Sequence, residues 1–297
     1  MPDYHLFYQN MYPTFDGSNV DRNLNLEKAM QIVSGKLKEG QVLAAGFTDI
    51  HMTDPFKVEV TLSRIASNLD SEFGGLTREF ATRYYGSLEY TVIYVNKNFV
   101  VGGSGRVMRV NQKKGDPLWQ CVTLQDVLEN NLENKAAASQ TASENAEKYF
   151  EAKSRGLAYV CGKFRGEKMI IGFTHKISAE GRENTYQLLT DIMKLIWDKH
   201  PDYSGCPTIF GGDFTFAPAP TAGPCSAVYA WDSTADPGDM EPLPTSDKEG
   251  FDFWFTNADM PYNRASRHEE TCGIKLTRHY GISLRLRMRA PSEEVKK

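Results

Sequence analysis

The chain has 297 residues, of which 40% are hydrophobic and 24% are charged, a balance typical of a globular protein with a sizeable core. Its formal net charge of −4 argues against strong non-specific binding to polyanions, because such binding depends on Lys and Arg neutralising phosphates. The sequence shows no apolar run long enough to cross a bilayer and no leader of the secretory type. We therefore expect a cytoplasmic protein, with non-classical secretion as the alternative.

Segments typical of strands and of helices alternate along the chain, without an internal repeat. Strands are predicted at residues 4–10, 41–49, 90–101, 157–164, 168–174, 206–213, 251–256 and 282–288. Amphipathic helices are predicted at residues 19–38, 56–70 and 183–197, where apolar side chains recur at helical spacing. This alternation is typical of the α/β class.

Local patterns add detail to two of these segments. The strands at 157–164 and 168–174 are separated by Arg165-Gly166-Glu167, which predicts a hairpin. In the last strand, apolar and arginine side chains alternate, which predicts one core face and one cationic face. The alternating residues are Leu284, Arg285, Leu286, Arg287, Met288 and Arg289.

Two segments fall outside the regular series. Residues 103–156 are polar and are predicted to be an insertion with one surface helix or a mobile segment. Residues 216–250 are rich in Pro, Gly, Ala and Asp and are predicted to be a long loop. Both adjoin strands with candidate site residues, so we expect them to flank the site of a single domain spanning residues 1–297.

The cysteines bear on the redox environment. Their number is odd, and no two form a Cys-x-x-Cys pair, which favours reduced thiols over a disulfide framework. They are Cys121, Cys161, Cys206, Cys225 and Cys272.

The most informative stretch is an apolar run that ends in Gly211-Gly212-Asp213. A buried strand that ends in this way delivers one carboxylate to the edge of a sheet, and the glycines let the backbone or a ligand approach closely. Thr215 adds a hydroxyl that can donate and accept hydrogen bonds.

Other polar side chains stand where predicted strands begin or end. Asn10, Asp49 and His175 follow apolar strands, and Asp252 lies at the start of another. Each also has a plain structural interpretation. Asn10 suits a turn and Asp49 suits a cap. His175 can be a structural histidine and Asp252 a polar residue of an edge strand, so both interpretations stay open for each residue.

Taken in chain order, these segments resemble the motifs of the endonuclease/exonuclease/phosphatase superfamily, the DNase I-like metal-dependent phosphodiesterases. The segments are Tyr8-Gln9-Asn10, Ala45-Gly46-Phe47-Thr48-Asp49, Ile171-Gly172-Phe173-Thr174-His175, Gly211-Gly212-Asp213, Phe251-Asp252-Phe253-Trp254-Phe255 and Thr277-Arg278-His279. The resemblance covers residues 4–289. It implies an α/β (α+β) fold: a four-layer α/β/β/α sandwich of two mostly antiparallel sheets, with the site at one end.

The resemblance also implies a metal site. Mg²⁺ or Mn²⁺ would lie near Asn10, Asp49 and Asp213, since hard cations take oxygen ligands. Asn10 would also orient the phosphate, and Asp213 would also position the attacking water.

The same family pattern implies roles for the two histidines. Asp252 would orient His279, which would activate water as a general base. His175 would donate a hydrogen bond to the scissile phosphate, and Glu89 is a possible carboxylate partner that orients it.

Three positions depart from the family pattern. Asp49 stands where the family has Glu, Thr215 where it has Asn, and Arg278 where it has Asp. The Arg278 guanidinium could bind phosphate oxygens bidentately, together with Thr215, or it could repel a metal and leave a binding pocket without hydrolysis. A plain surface arginine on a cationic strand is the third interpretation.

Two functions follow as hypotheses. The first is a metal-dependent phosphodiesterase, most plausibly of the nuclease type, that acts on DNA, RNA or another phosphoester. The alternative is a catalytically degenerate relative that binds a nucleic acid, a nucleotide or a protein partner. An unrelated α/β protein would need other motifs, and the sequence has no nucleophile elbow, P-loop or Gly-x-Gly-x-x-Gly turn.

Overall fold

A computed structural model describes residues 3–10, 41–52, 77–84, 87–110, 118–123, 156–175, 185–214, 225–228, 252–257, 265–268 and 281–287. The strands are β1 (Asp3–Asn10), β2 (Gln41–Met52), β3 (Thr77–Tyr84), β4 (Ser87–Val95), β5 (Phe99–Val110), β6 (Leu118–Thr123), β7 (Leu157–Phe164), β8 (Glu167–His175), β9 (Thr208–Asp213), β10 (Ser226–Val228), β11 (Asp252–Thr256), β12 (Ala265–His268) and β13 (Gly281–Arg287). Within these ranges the helices are α1 (Thr185–Lys199) and a 3₁₀ helix at Pro201–Tyr203.

The strands form two sheets. The first has six strands in the order β12-β13-β1-β2-β4-β3, and the second has seven in the order β10-β11-β9-β8-β7-β5-β6. Each sheet contains one parallel pair, β1 with β2 and β8 with β9. The other described pairings are antiparallel. The prediction of two mostly antiparallel sheets is therefore confirmed.

The core lies between the two sheets, because alternate side chains of each strand point to the same face. Tyr4 packs edge-on against Phe164, with ring centroids 4.7 Å apart. Tyr8 stacks over Phe173 at 6.2 Å, and Phe173 packs edge-on against Trp254 at 6.1 Å. Burial of each such side chain stabilises the fold by about 1.5–3 kcal/mol.

Helix α1 forms a third layer on the outer face of the second sheet. Its apolar stripe packs against buried side chains that point outward from β7, β8, β9 and β11. The stripe consists of Leu189, Ile192, Met193 and Ile196. The helix predicted at 183–197 is thus confirmed, and those predicted at 19–38 and 56–70 lie outside the described residues. Within the described ranges, the helices are too short or too polar to traverse a bilayer.

The single strand predicted at 90–101 is wrong, because the chain changes sheet within it. β4 ends at Val95 in the first sheet and β5 begins at Phe99 in the second. The Asn98 amide donates to Asn96 Oδ1 at 2.9 Å, and Asn96 Nδ2 donates to the Val42 carbonyl at 3.0 Å. The sequence contains these turn-forming asparagines, but residues of high strand propensity on both sides favoured one continuous strand.

The segment expected to be an insertion begins inside the sheet. Residues 103–110 belong to β5, and residues 118–123 form β6 at the edge of the second sheet. The helix predicted there lies in a part of the chain that the structure does not describe. Residues 226–228 of the predicted long loop form β10, which pairs with β11.

The predicted hairpin is confirmed, since β7 and β8 pair antiparallel around a two-residue turn. Both turn residues, Arg165 and Gly166, have positive φ, at 52° and 86°, which suits the right-handed twist of the strands. On β13, Leu284 and Leu286 are buried while Arg285 is exposed. That alternation agrees with the predicted core face and cationic face.

The described cysteines, Cys121, Cys161, Cys206 and Cys225, are free thiols. Cys161 is fully buried on the face that α1 covers. Burial raises the pKa of its thiol far above the ordinary value of 9.0, and the nearby Cys206 and Cys121 raise it further.

This shift predicts a loss of stability in alkali. Below pH 9 the Cys161 thiol is protonated in both states. Above pH 9 it loses its proton only on unfolding, so the free energy of unfolding falls by up to about 1.4 kcal/mol per pH unit. We expect the stability difference between the wild type and Cys161→Ala to shrink between pH 8 and pH 10.5, measured by urea unfolding in reductant. The difference for Ile170→Val, a non-titrating control in the same cluster, should stay constant, and parallel behaviour of both variants would contradict the prediction.

Candidate active site

A group of polar side chains lies where the intersheet core ends. The side chains of β1, β8 and β9 that face the other sheet are apolar or aromatic along most of each strand. The last such position of each strand is polar: Asn10 on β1, His175 on β8 and Asp213 on β9. On β11, which runs the other way, Asp252 precedes the inward-facing Trp254. The alternation that builds the core therefore directs four polar side chains into one end of the sandwich.

Strand register aligns three of these residues in a row. Asp213 on β9 pairs with His175 on β8 in parallel and with Asp252 on β11 in antiparallel. Directly paired residues project from the same face of a sheet. His175, Asp213 and Asp252 thus form a row across three strands of the second sheet.

Asn10 approaches this row from the first sheet. Asn10 Nδ2 donates to Asp213 Oδ2 at 3.4 Å, and His175 Nε2 lies 3.7 Å from the same oxygen. Both Asp213 and His175 are at most 2% exposed. A buried carboxylate is costly unless donors surround it, so the Asp213 carboxylate is the centre to which the other side chains are directed.

The Tyr8 hydroxyl contacts the backbone of Asp213. The hydroxyl is 2.8 Å from Thr48 Oγ1, donates to the Thr174 carbonyl at 3.2 Å and accepts from the Asp213 amide at 3.1 Å. Burial raises the pKa of Tyr8 well above its ordinary value, and the charges of Asp252 and Asp213 raise it further. Tyr8 was not predicted as a site residue, although its inward position two residues before Asn10 was visible in the sequence.

Neighbouring protein groups leave no room for a side chain at the two glycines of the Gly-Gly-Asp stretch. A Cβ on Gly212 would lie 2.3 Å from the Thr174 carbonyl oxygen, and a Cβ on Gly211 would lie 2.4 Å from the Trp254 ring. The close approach predicted for this stretch is therefore made by the adjacent strand and by the core. It holds β9 against β8 and fixes the end of the strand that carries Asp213.

The remaining predicted site residues are described only in part. The backbone of Asp49 lies in β2 beside that of Thr48, but its side chain is outside the described part of the structure. Thr215, Arg278 and His279 also lie outside it. Glu89 is on β4 in the first sheet, paired with His51. The carboxylate that the structure places beside His175 is that of Asp213.

The described side chains suit a hard cation in their chemistry. The Asn10 carboxamide and the Asp213 carboxylate are oxygen donors, and Mg²⁺ usually takes one or two carboxylates together with waters. Among the residues whose positions are described, no group of three or more His, Cys, Asp or Glu side chains is placed to hold a metal ion.

The fold and this site geometry can be compared with known proteins. No protein-family model and no curated protein matches the chain. TDP2 from Caenorhabditis elegans is 13% identical over 96% of this chain and 74% of its own, with a TM-score of 0.54. An endonuclease/exonuclease/phosphatase from Bacteroides vulgatus is 12% identical over 97% and 100%, with a TM-score of 0.55. A mannosyl-6-phosphatase from Bacteroides thetaiotaomicron is 11% identical over 96% and 100%, with a TM-score of 0.55.

Similarity to solved structures at such low sequence identity shows the fold alone. The matches extend along nearly the whole chain, and the two sheets with their parallel central pairs provide the frame on which the similarity rests. The chain has a DNase I-like fold, as the resemblance of its sequence motifs implied.

Proposed function

We propose that this chain is a phosphoester hydrolase, and more narrowly a metal-dependent phosphodiesterase that acts on DNA, RNA or another phosphoester. The observation that carries the proposal is the convergence of Asn10 and His175 on the buried Asp213 carboxylate, with Asp252 next in the row. Solved structures with this fold include a mannosyl-6-phosphatase, which supports phosphoester chemistry.

Each side chain has a role that suits its placement. The Asp213 carboxylate accepts hydrogen bonds, so it can orient the attacking water. His175, whose Nε2 lies 3.7 Å from that carboxylate, would donate a hydrogen bond to a phosphoryl oxygen. Asp252 lies at the end of the same row. We propose that its carboxylate orients the imidazole of His279, which acts as the general base.

We assign the metal to oxygen donors at the ends of three strands. Asn10, Asp49 and Asp213 would hold Mg²⁺ or Mn²⁺, and a bound cation of this kind offsets charge on the phosphoryl oxygens. Arg278 and Thr215 would bind the phosphate, since a guanidinium and a hydroxyl are both donors to phosphate oxygens.

The test is hydrolysis of bis-p-nitrophenyl phosphate, p-nitrophenyl phosphate, plasmid DNA and RNA with Mg²⁺, Mn²⁺ or EDTA. We expect cleavage that EDTA abolishes and added metal restores, and we expect His279→Ala to reduce it by about 100-fold or more, as for loss of a general base. Cleavage that is unchanged in EDTA would contradict the metal dependence. Full activity in His279→Ala would remove that residue from the mechanism.

The binding relative is the other outcome of the same experiment. If well-folded protein cleaves none of the substrates, calorimetry with a nucleotide and with single-stranded DNA, with and without Mg²⁺, decides whether the site still binds phosphate. Binding that is independent of metal, together with no turnover, would replace the hydrolase proposal with the binding one.

A further inference from the structure

One buried hydroxyl connects the strand ends that carry the candidate site. The Tyr8 phenol contacts Thr48, which precedes Asp49, and the Thr174 carbonyl, which precedes His175. It also accepts from the amide of Asp213 itself. Tyr8 lies two residues before Asn10 on β1. A single oxygen, carried by β1, thus contacts a side chain of β2 and the backbone of β8 and β9 next to the polar ends of these strands.

The hydrogen bonds match the full capacity of a phenol. A tyrosine hydroxyl has one proton to donate and can accept two hydrogen bonds. With its proton given to the Thr174 carbonyl, it accepts from the Asp213 amide and from the Thr48 hydroxyl. Stacking of its ring on Phe173, at 6.2 Å and 8°, fixes the direction in which the hydroxyl points.

We propose that Tyr8 is a positioning residue for the hydrolysis: its hydroxyl joins the two sheets at the site and holds the Asp213 carboxylate where Asn10 and His175 reach it. The expected effect on turnover rests on the proposed hydrolase function. The positioning of the carboxylate rests only on the three hydrogen bonds of the hydroxyl. Loss of that hydroxyl leaves Thr48, Thr174 and Asp213 with one partner fewer in a buried place, so the strand ends lose a common anchor.

The same strand offers a matched control. Tyr4 is also fully buried and faces the same core, but its hydroxyl has no hydrogen-bond partner among the described residues. It packs against Phe164, which lies at the other end of β7 from the site. Tyr4→Phe and Tyr8→Phe therefore remove the same atom from the same strand, and only the second removes contacts with the site.

The experiment compares kinetics and crystal structures of the two variants. For Tyr8→Phe we expect kcat to fall about 10- to 100-fold with KM little changed, because displacement of a reacting group by about 1 Å is enough for such a loss. In its structure, Asp213 Oδ2 should move away from Asn10 Nδ2 and His175 Nε2. Tyr4→Phe should keep the wild-type kcat and the wild-type carboxylate position. Assays are run well below the unfolding midpoint of each variant, so that folded fractions are equal.

Each result separates the positioning role from the hydrolase proposal. If the wild type is inactive on every substrate and the carboxylate still moves in Tyr8→Phe alone, the positioning role stands and the hydrolase proposal fails. An unmoved carboxylate in Tyr8→Phe overturns the positioning role at any level of activity. Should Tyr8→Phe not fold, Thr48→Val removes one of the three partners, and Thr48→Ser restores it. We then expect a smaller carboxylate shift and kcat loss in the valine variant only, and identical behaviour of the two overturns the role.

Discussion

Asparagine in place of Asp213 is expected to lower phosphoester hydrolysis by about 1,000-fold while leaving the fold intact. The substitution removes the negative charge at the centre of the site but keeps the shape of the side chain. The asparagine oxygen can still accept the hydrogen bond from Asn10 Nδ2, and the backbone amide still donates to Tyr8. Removal of a buried charge also removes its desolvation cost, so we expect little change in the free energy of unfolding.

The measurement is kcat/KM for bis-p-nitrophenyl phosphate at saturating Mg²⁺ or Mn²⁺, with urea unfolding of the same samples. Asp191→Asn is the matched control, because Asp191 lies about half exposed on α1, 3.8 Å from Lys194, and its pairing there contributes little. It should retain wild-type activity. Activity within threefold of the wild type in Asp213→Asn would remove this carboxylate from the mechanism.

Alanine in place of Gly212 is expected to destabilise the protein by at least about 3 kcal/mol. The added Cβ would lie 2.3 Å from the carbonyl oxygen and 2.6 Å from Cγ2 of Thr174. Thr174 cannot yield easily, because its carbonyl accepts from Tyr8 and its hydroxyl donates to the Gly156 carbonyl at 3.1 Å. The strain therefore has to separate β8 from β9, the parallel pair that carries His175 and Asp213.

The stability loss is measured from the urea midpoint, provided that the slope of the transition is unchanged. Gly166→Ala is the comparison, since in the described part of the chain a Cβ there meets nothing within 4 Å, and its φ of +86° opposes the substitution. That conformational cost is about 1–2 kcal/mol. A smaller loss in Gly212→Ala than in Gly166→Ala would show that β8 and β9 can separate without cost, contrary to the packing observed.

Local sequence patterns predicted most of the strands, because each strand alternates or is continuously apolar and ends at a turn residue. The β7–β8 hairpin could be read from Arg165-Gly166, since a two-residue turn has few conformations. The change of sheet at Asn96 could not be read in this way, because it depends on the strands with which β4 and β5 pair. That choice is made by contacts with Val42 and with β7, far away in sequence.

The site was predictable to the extent that it lies at strand ends. The structure brings Asn10, His175 and Asp213 together, and it places Asp252 opposite Asp213. The sequence could not identify Tyr8 as their common contact, because its hydrogen bonds join residues 40 to 205 positions apart, and those to Thr174 and Asp213 cross from one sheet to the other. The roles of His279, Arg278, Thr215 and the Asp49 side chain stay predictions.

The two parallel pairs have a consequence for how such a protein can diversify. Because β1 runs with β2 and β8 runs with β9, four central strands finish at the same end of the sandwich. Three of these strands, β1, β8 and β9, end at Asn10, His175 and Asp213, and β2 ends three residues after Asp49. Exchange of the connections that follow these strands can therefore change which molecule is admitted, while the strand ends that act on it stay in place. Proteins that share this fold can in this way differ in substrate while they keep the same reaction chemistry.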